Sequence, residues 1–445
     1  MSLVATPIRS QRGQTIALVA VSMVSLLAVA ALAIDLTTLY VAKGEIQRAA
    51  DSAALAGAKA FVDSGVTTDP TNPGLQGVAQ QIANSYAVAA AFQNNVAGAP
   101  AQMVSSPVLN FSLQGNPRVT VSMQKTNLPV FFARIFGNSA AMVSAIATAE
   151  AYNPAYSQNN TGSFVPAAPK CVKPFLVPNL DPGSSSNPPQ KFVDETKGFV
   201  TAGAPFLGEE IQLTSPCTGN ANGKKGCNLP GNYFPTAGDY LPVLVSGTHT
   251  YCPSDAAPGC GGATTDFEKS TECCDGIAFD FQQCGASTSP ATWDPSLDPS
   301  GPNGPAQNGL QCLIHTTSSG PPSGVPQQDL LDVSNFTTSS GPPKISPGTF
   351  SQARYNIAGN AVMDTSDSII TVPLFHVPAT MPANSQLTIV GFLQLFVNYV
   401  KPPGPGQPDV DAYIVNVIGC GNSAASGAAV SGGGVSPIPV RLVHN

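Results

Sequence analysis

The sequence predicts an α+β fold: a long N-terminal transmembrane and stalk helix, a small α+β module, then a disulfide-rich, mainly β exported domain with long Gly/Pro loops. Three observations carry this. Residues 13–34 (GQTIALVAVSMVSLLAVAALAI) run for 22 positions without a charge. All ten cysteines lie beyond residue 170. Glycine and proline number 42 each in 445 residues. That load excludes an all-helical body, because glycine loosens the backbone and proline breaks helices.

Composition also bounds function. A hydrophobic share of 42% is too high for a wholly disordered chain. Charged residues make up 10%, against about 25% in an ordinary soluble protein. With 19 Lys and Arg and a net charge of −7, there is no basic footprint, so a nucleic-acid partner is not expected.

Residues 1–13 read as a cytoplasmic tail and 14–36 as a transmembrane helix. At 1.5 Å per residue the uncharged run is about 33 Å long, enough for the hydrocarbon core. Arg9 and Arg12 precede it and Asp35 closes it. Arg9 and Arg12 are matched by Lys43 and Arg48 on the other side, so the positive-inside rule does not orient the helix. The cysteines do, because disulfides persist outside the cytosol. The expected topology is a single pass through membrane lipid with the N-terminus cytoplasmic. A cleaved signal peptide is the alternative, since Ala31-Leu32-Ala33 has the small-x-small form. The run exceeds the usual apolar region of about 7–15 residues, however, and the helical pattern continues past the cut.

Residues 37–64 read as a helical stalk. Ile46, Ala50, Ala53, Gly57 and Phe61 fall on one helix face, and Ala50, Ala54 and Ala58 form a small-xxx-small row that admits another helix closely. Glu45–Arg48 and Arg48–Asp51 pair opposite charges at i,i+3 on the wet side. The apolar face suits a partner helix, including a second copy that would make a homo-oligomer, and suits the chain's own body equally well.

Arg12-Gly13, the apolar span, Asp35, Leu39-Tyr40 and the run Ile46-Gln47-Arg48-Ala49-Ala50-Asp51-Ser52-Ala53-Ala54-Leu55-Ala56-Gly57-Ala58 together resemble the N-terminal segment of TadG-like proteins of the Tad (tight adherence, or Flp) pilus-assembly family. The resemblance covers about the first 60 residues. It implies a bacterial inner-membrane protein whose larger part faces outward, serves pilus assembly or surface adhesion, and meets pilin-like or other Tad-system membrane proteins. The family often carries a von Willebrand A-like domain behind the anchor, whereas this chain looks like a Cys- and Pro-rich variant. Pilin-type processing after Gly13 is not expected: pilins generally carry a Glu five residues beyond the cut, and here that position is Leu18.

Residues 65–152 read as a small α+β module. Residues 74–94 are Ala- and Gln-rich with a helical spread. Leu109, Phe111 and Leu113 alternate with polar residues, Gln114-Gly115-Asn116-Pro117 supplies a turn, and Val119, Val121 and Met123 alternate again, which makes a hairpin. A short helix is expected over 129–136, stopped by Gly137, and a third strand over 142–150. Residues 153–169 form a polar linker. Within 170–445, strands are expected at 175–177, 241–245, 369–375, 388–400 and 413–417. Residues 285–308 and 316–328 read as loops, 401–408 (KPPGPGQP) as a hairpin connection, and the tail 421–445 as frayed.

The cysteines are Cys171, Cys217, Cys227, Cys252, Cys260, Cys273, Cys274, Cys284, Cys312 and Cys420. An even count with these spacings reads as a disulfide framework, because zinc would want C-x₂₋₄-C pairs or Cys/His clusters. The pairing is not readable from the sequence. Asp364, Ser366 and Ser368 fit the D-x-S-x-S adhesion pattern that holds Mg²⁺, but the strong strand follows the motif instead of preceding it. A polar turn entering that strand is the competing reading. No metal or other cofactor is expected. H-E-x-x-H, G-x-S-x-G and P-loop patterns are absent, Glu209 and Glu210 would point to opposite faces of a strand, and His315 reads as a core or surface histidine. A non-enzymatic protein is expected.

Overall fold

The computed structural model describes residues 12–111, 116–137, 140–153, 167–201, 206–215, 235–243, 257–260, 262–263, 265–274, 283–285, 287–288, 297, 304–318, 320–334, 343–363, 365–378, 386–401, 409–421 and 436–443. The chain is α+β, with a long N-terminal apolar helix followed by a strand-rich body containing shorter helices.

Helix α1 (Arg12–Asp63) runs for 52 residues, its alanine-rich sequence containing no proline to break it. Helix α2 (Pro73–Gln93) follows. Asn72 starts it: its side-chain oxygen accepts from the Gly74 and Leu75 amides, and Pro73 occupies the first turn, where a missing N–H costs nothing. Leu75, Val78, Ala79, Ile82, Ala83, Ala87 and Ala91 make its buried stripe.

Helix α1 packs on α2 and on the first sheet. Strands β1 (Gln102–Met103), β2 (Val108–Asn110), β3 (Arg118–Pro129) and β4 (Ala140–Ala151) form this sheet antiparallel, with β1 and β2 both on β3. The predicted hairpin is present, with Leu109 opposite Val119; residues 112–115 of its loop lie outside the described residues. Val119, Val121 and Met123 alternate inward as expected. The helix predicted over 129–136 is shorter. Pairing of Leu128 with Ala141 and Pro129 with Ala140 keeps β3 extended to Pro129, and a 3₁₀ turn covers Ala133–Phe136. Gly137 ends the turn at φ 88°, the left-handed conformation that glycine adopts without penalty.

The second sheet contains β5 (Phe175–Pro178), β6 (Glu210–Thr214), β7 (Leu241–Pro242), β8 (Ile369–Phe375), β9 (Leu387–Val400) and β10 (Asp409–Gly419), in the order β6-β10-β9-β8-β5-β7. Only β5 and β8 run parallel among these neighbours. Strand β9 is buried on both faces over much of its length, which accounts for its near-continuous apolar run. It pairs with β10 across residues 401–408, as the hairpin reading required. Helices α3 (Asp266–Glu272), α4 (Pro305–Leu313) and α5 (Thr349–Tyr355) lie on this part of the chain. Helix α4 begins inside a stretch read as loop.

The tail is not wholly frayed. Strand β11 (Val440–Val443) adds to β4, with Arg441 opposite Glu150, so the end of the chain completes the first sheet. Glu150 is buried and takes Arg118 Nε at 3.0 Å, Arg441 Nε at 2.8 Å and Arg441 Nη2 at 2.7 Å. Arg441 also lies 4.2 Å over the Tyr152 ring, a cation–π contact.

Three disulfides are described: Cys171–Cys274, Cys260–Cys312 and Cys284–Cys420. Cys273 is disulfide-bonded too. Cys217, Cys227 and Cys252 lie outside the described residues.

Candidate functional site: the anchor helix and its seat

Helix α1 changes character along its length. Its first half is apolar and uncovered: Ile16, Leu18, Leu26, Leu27 and Ile34 are all exposed. The helix is long and apolar enough to cross a membrane. From Ala42 onward the same helix is the centre of the body. Ile46, Ala50, Ala53, Ala54, Gly57, Ala58 and Phe61, the positions singled out for helix packing, are all buried. They pack within the chain's own fold, in the layer formed by α2, β3 and β4. Small residues allow this closeness. A Cβ on Gly57 would stand 3.2 Å from Val119 Cγ2, and Phe61 meets Phe111 edge-on at 5.6 Å.

The polar side of this stretch is also engaged. Lys43 Nζ donates to the Ser144 carbonyl, and Gln47 Nε2 donates to Ile146 O at 3.4 Å and Asp51 Oδ1 at 2.9 Å. Glu45 Oε2 accepts from the Ala97 amide at 2.7 Å. A segment that reads as a projecting rod is thus tied along its length to strand β4 and to the turn at Ala97.

Asp35 has a specific task that its position in the sequence did not reveal. Its carboxylate accepts from the backbone N–H groups of Phe131 (2.9 Å), Phe132 (2.9 Å) and Ala133 (2.7 Å). These amides enter the 3₁₀ turn and have no partner inside it. Asp35 is buried as a result, and the loop joining β3 to β4 is clamped to α1 where the apolar run ends.

At its far end α1 is tied to the second sheet. Asn416 of β10 donates to Val62 O (3.2 Å) and to Gln394 Oε1 (2.7 Å), and Thr67 Oγ1 donates to Asn416 Oδ1 (3.1 Å). The Val417 amide donates to Thr68 Oγ1 at 3.0 Å. Beside this junction lies a mainly apolar cleft of about 800 Å³, whose walls include Ile82, Tyr86, Ile345, Met363, Val415 and Ile438, with Lys59 and Asp63 paired at 2.6 Å among its polar members.

The other candidate residues are placed separately. Ser366 Oγ donates to Asp329 Oδ2 at 2.6 Å, and the Ser368 amide donates to Ser366 Oγ at 3.1 Å, so both serve the turn entering β8. Asp364 lies outside the described residues. No group of three or more His, Cys, Asp or Glu side chains suited to a metal occurs among the described residues. His315 stacks on Phe350 at 3.9 Å and shares a hydrogen bond between Nε2 and Asp367 Oδ2 at 2.9 Å. That bond, with the Arg354 charge nearby, holds the Asp367 carboxyl below the usual range despite burial. The other ring nitrogen of His315 is buried with no hydrogen-bond partner among the described residues, so no hydroxyl nucleophile is bonded to it there.

Glu209, just before β6, and Glu210, its first residue, have different partners. Glu210 hydrogen-bonds Asp411, which raises its pKa. Burial, then the neighbouring Asp181 carboxylate, pushes Glu209 up to about 7. The folded protein therefore holds a proton on Glu209 between the ordinary glutamate range and neutrality, where the unfolded chain has released it. Stability should fall as pH rises through that window, by on the order of 1 kcal/mol after allowance for solvent screening at this half-exposed site. Urea midpoints at pH 5 and pH 8 test this, and Glu209→Gln should flatten the difference.

These features define a class: an α+β protein whose N-terminal apolar helix continues unbroken into the core of its body. Residues 13–60 match the Tad family model, described as Flp pilus-assembly TadE/G-like. The match coincides almost end to end with α1, so the N-terminal segment is a Tad-type, TadE/G-like segment, and it fits an inner-membrane-anchored component of a Tad system. No curated protein and no solved structure matches the chain.

Proposed function

We propose that this chain is a non-enzymatic, inner-membrane-anchored structural component of a Tad-type pilus or surface-adherence system, with its N-terminus cytoplasmic and its body facing the periplasm or exterior. One observation supports it above the rest: the Tad-matching residues 13–60 form a single helix that is uncovered and apolar in one half and buried in the body in the other. A load on the body reaches the lipid-embedded half through continuous backbone hydrogen bonds. Because the small-residue row is already occupied internally, pilin-like or other Tad-system partners, or a second copy, would meet the uncovered half of α1 within membrane lipid or the outer surface of the body. Disulfides that close loops of 103, 52 and 136 residues support an oxidising compartment for that body.

Deleting the gene is expected to abolish piliation or adherence, and the full-length product should stay with inner-membrane vesicles in alkaline carbonate. Normal pili and adherence in the deletion strain would overturn the assembly role. The second reading is an adhesin or binding module released by cleavage after Ala33. It draws on the Asp35 clamp, which lies on the body side of that cut and so would survive it. Mature protein beginning at Ile34 would establish that form; an intact N-terminus would exclude it. An anchored hydrolase is the third reading, and silence across substrate classes in activity profiling would leave it unsupported.

A further inference from the structure

We propose that the body touches the membrane a second time: the turn that follows β3, residues 130–134 with Phe131 and Phe132, is immersed in the bilayer interface on the body's side. This rests on the anchored reading of α1 above.

The lipid-compatible surface of α1 does not end at Asp35. Asp35 is not a water-facing boundary, because both its oxygens are taken up by three backbone amides and the side chain is buried. Beyond it, Leu36, Tyr40 and Val41 are as exposed as the apolar residues before it. The hydroxyls along the helix are satisfied internally: Ser22, Ser25, Thr37 and Thr38 donate to the carbonyls of Val19, Val21, Ala33 and Ile34, as a lipid-facing helix requires. The next ionisable group with an exposed side chain after Arg12 is Lys43 if the tyrosine is set aside. Residues 13–42 rise about 45 Å, which matches a whole bilayer with both headgroup regions, whereas the stretch ending at Ile34 matches the hydrocarbon core alone.

The loop lies at the level of Asp35, because that carboxylate holds its amides at 2.7–2.9 Å. With the boundary near Lys43, the loop sits about 12 Å inside it. Its exposed side chains suit that depth: Phe131 is 61% exposed and Phe132 38%, with Arg134 exposed beside them. Met142, 62% exposed, adjoins Leu36, Leu39 and Tyr40 in a shallow recess at the same end of the sheet. Exposed aromatics with a flanking cation are the composition of interfacial anchors. The occupant is lipid because this surface is continuous with the helix face that lipid already covers, and the Asp35 clamp prevents the loop from leaving while the helix stays.

The test uses the full-length protein in phosphatidylcholine vesicles, with Trp293→Phe removing the one native tryptophan. Single indoles are then introduced as Leu26→Trp, Phe131→Trp or Met142→Trp, and emission is compared in plain lipid and in lipids brominated either high on the acyl chains, at the depth of the loop reporters, or near the chain ends, at the depth of Leu26. Phe131→Trp and Met142→Trp should each lose roughly two-fold in emission and resist aqueous iodide, as Leu26→Trp does. Quenching of Leu26→Trp with neither loop reporter quenched, whether these are open to iodide or covered by a second copy, would overturn the proposal and leave the anchor standing. Absence of quenching at all three would overturn the anchor and the proposal together. Should Phe131→Trp fail to fold, Met142→Trp carries the same test.

Discussion

Replacing Cys284 and Cys420 together by alanine is expected to destabilise the body by about 4–5 kcal/mol, because the bond closes a 136-residue loop and restricts the unfolded chain accordingly. Cys284 and Cys420 are both buried, the Cys284 amide donates to Ala167 O, and the Cys420 amide donates to Val390 O. The bond therefore joins the end of β10 to a segment that sequence separates widely from it. Equilibrium urea unfolding of the full chain in detergent, with and without reductant, measures the effect. The double variant should unfold at the lower midpoint without reductant, and the difference should close once reductant opens the Cys284–Cys420 bond in the parent protein. If oxidised and reduced native protein share one midpoint, the disulfide framework does not stabilise this body.

Phe61→Ala is expected to cost about 3–5 kcal/mol, the range for deleting a fully buried phenylalanine. Phe61 is completely buried near the end of α1, against Phe111. The same experiment distinguishes two roles for the Tad-matching helix. Were residues 46–61 a free rod awaiting a partner, truncating Phe61 would leave the isolated protein's midpoint unchanged and weaken assembly alone. In the observed fold the loss appears in the isolated protein.

The elements that were legible from the sequence share one property: their signal is local. Residues 74–94 carry an Ala- and Gln-rich helical spread, so α2 is legible nearly to its ends. Strands β8 and β9 carry runs of Ile, Val, Leu and Phe long enough to declare themselves. Helices α3, α4 and α5, of seven, nine and seven residues, were missed because helices this short are not stable alone. Neighbouring parts of the fold hold them, such as the Cys260–Cys312 bond that ends on α4. Strand β11 was missed for a related reason: Val440–Val443 follows a Gly/Ala/Ser-rich stretch, and its partner β4 lies almost 300 residues earlier.

Local chemistry was therefore enough to establish the apolar helix, its Tad-like continuation, a disulfide-bonded body and the longest strands, since periodicity, turn residues and cysteine placement act over a few residues at a time. Long-range packing decided the rest: that the small-residue face of α1 serves its own body, that Asp35 clamps a loop 96–98 residues away, and that the chain's end closes the first sheet. A buried face looks the same in a sequence whatever covers it. A carboxylate carries no mark of which amides it will meet. Both are settled only when distant segments compete for the same surface and the lowest free energy selects one arrangement.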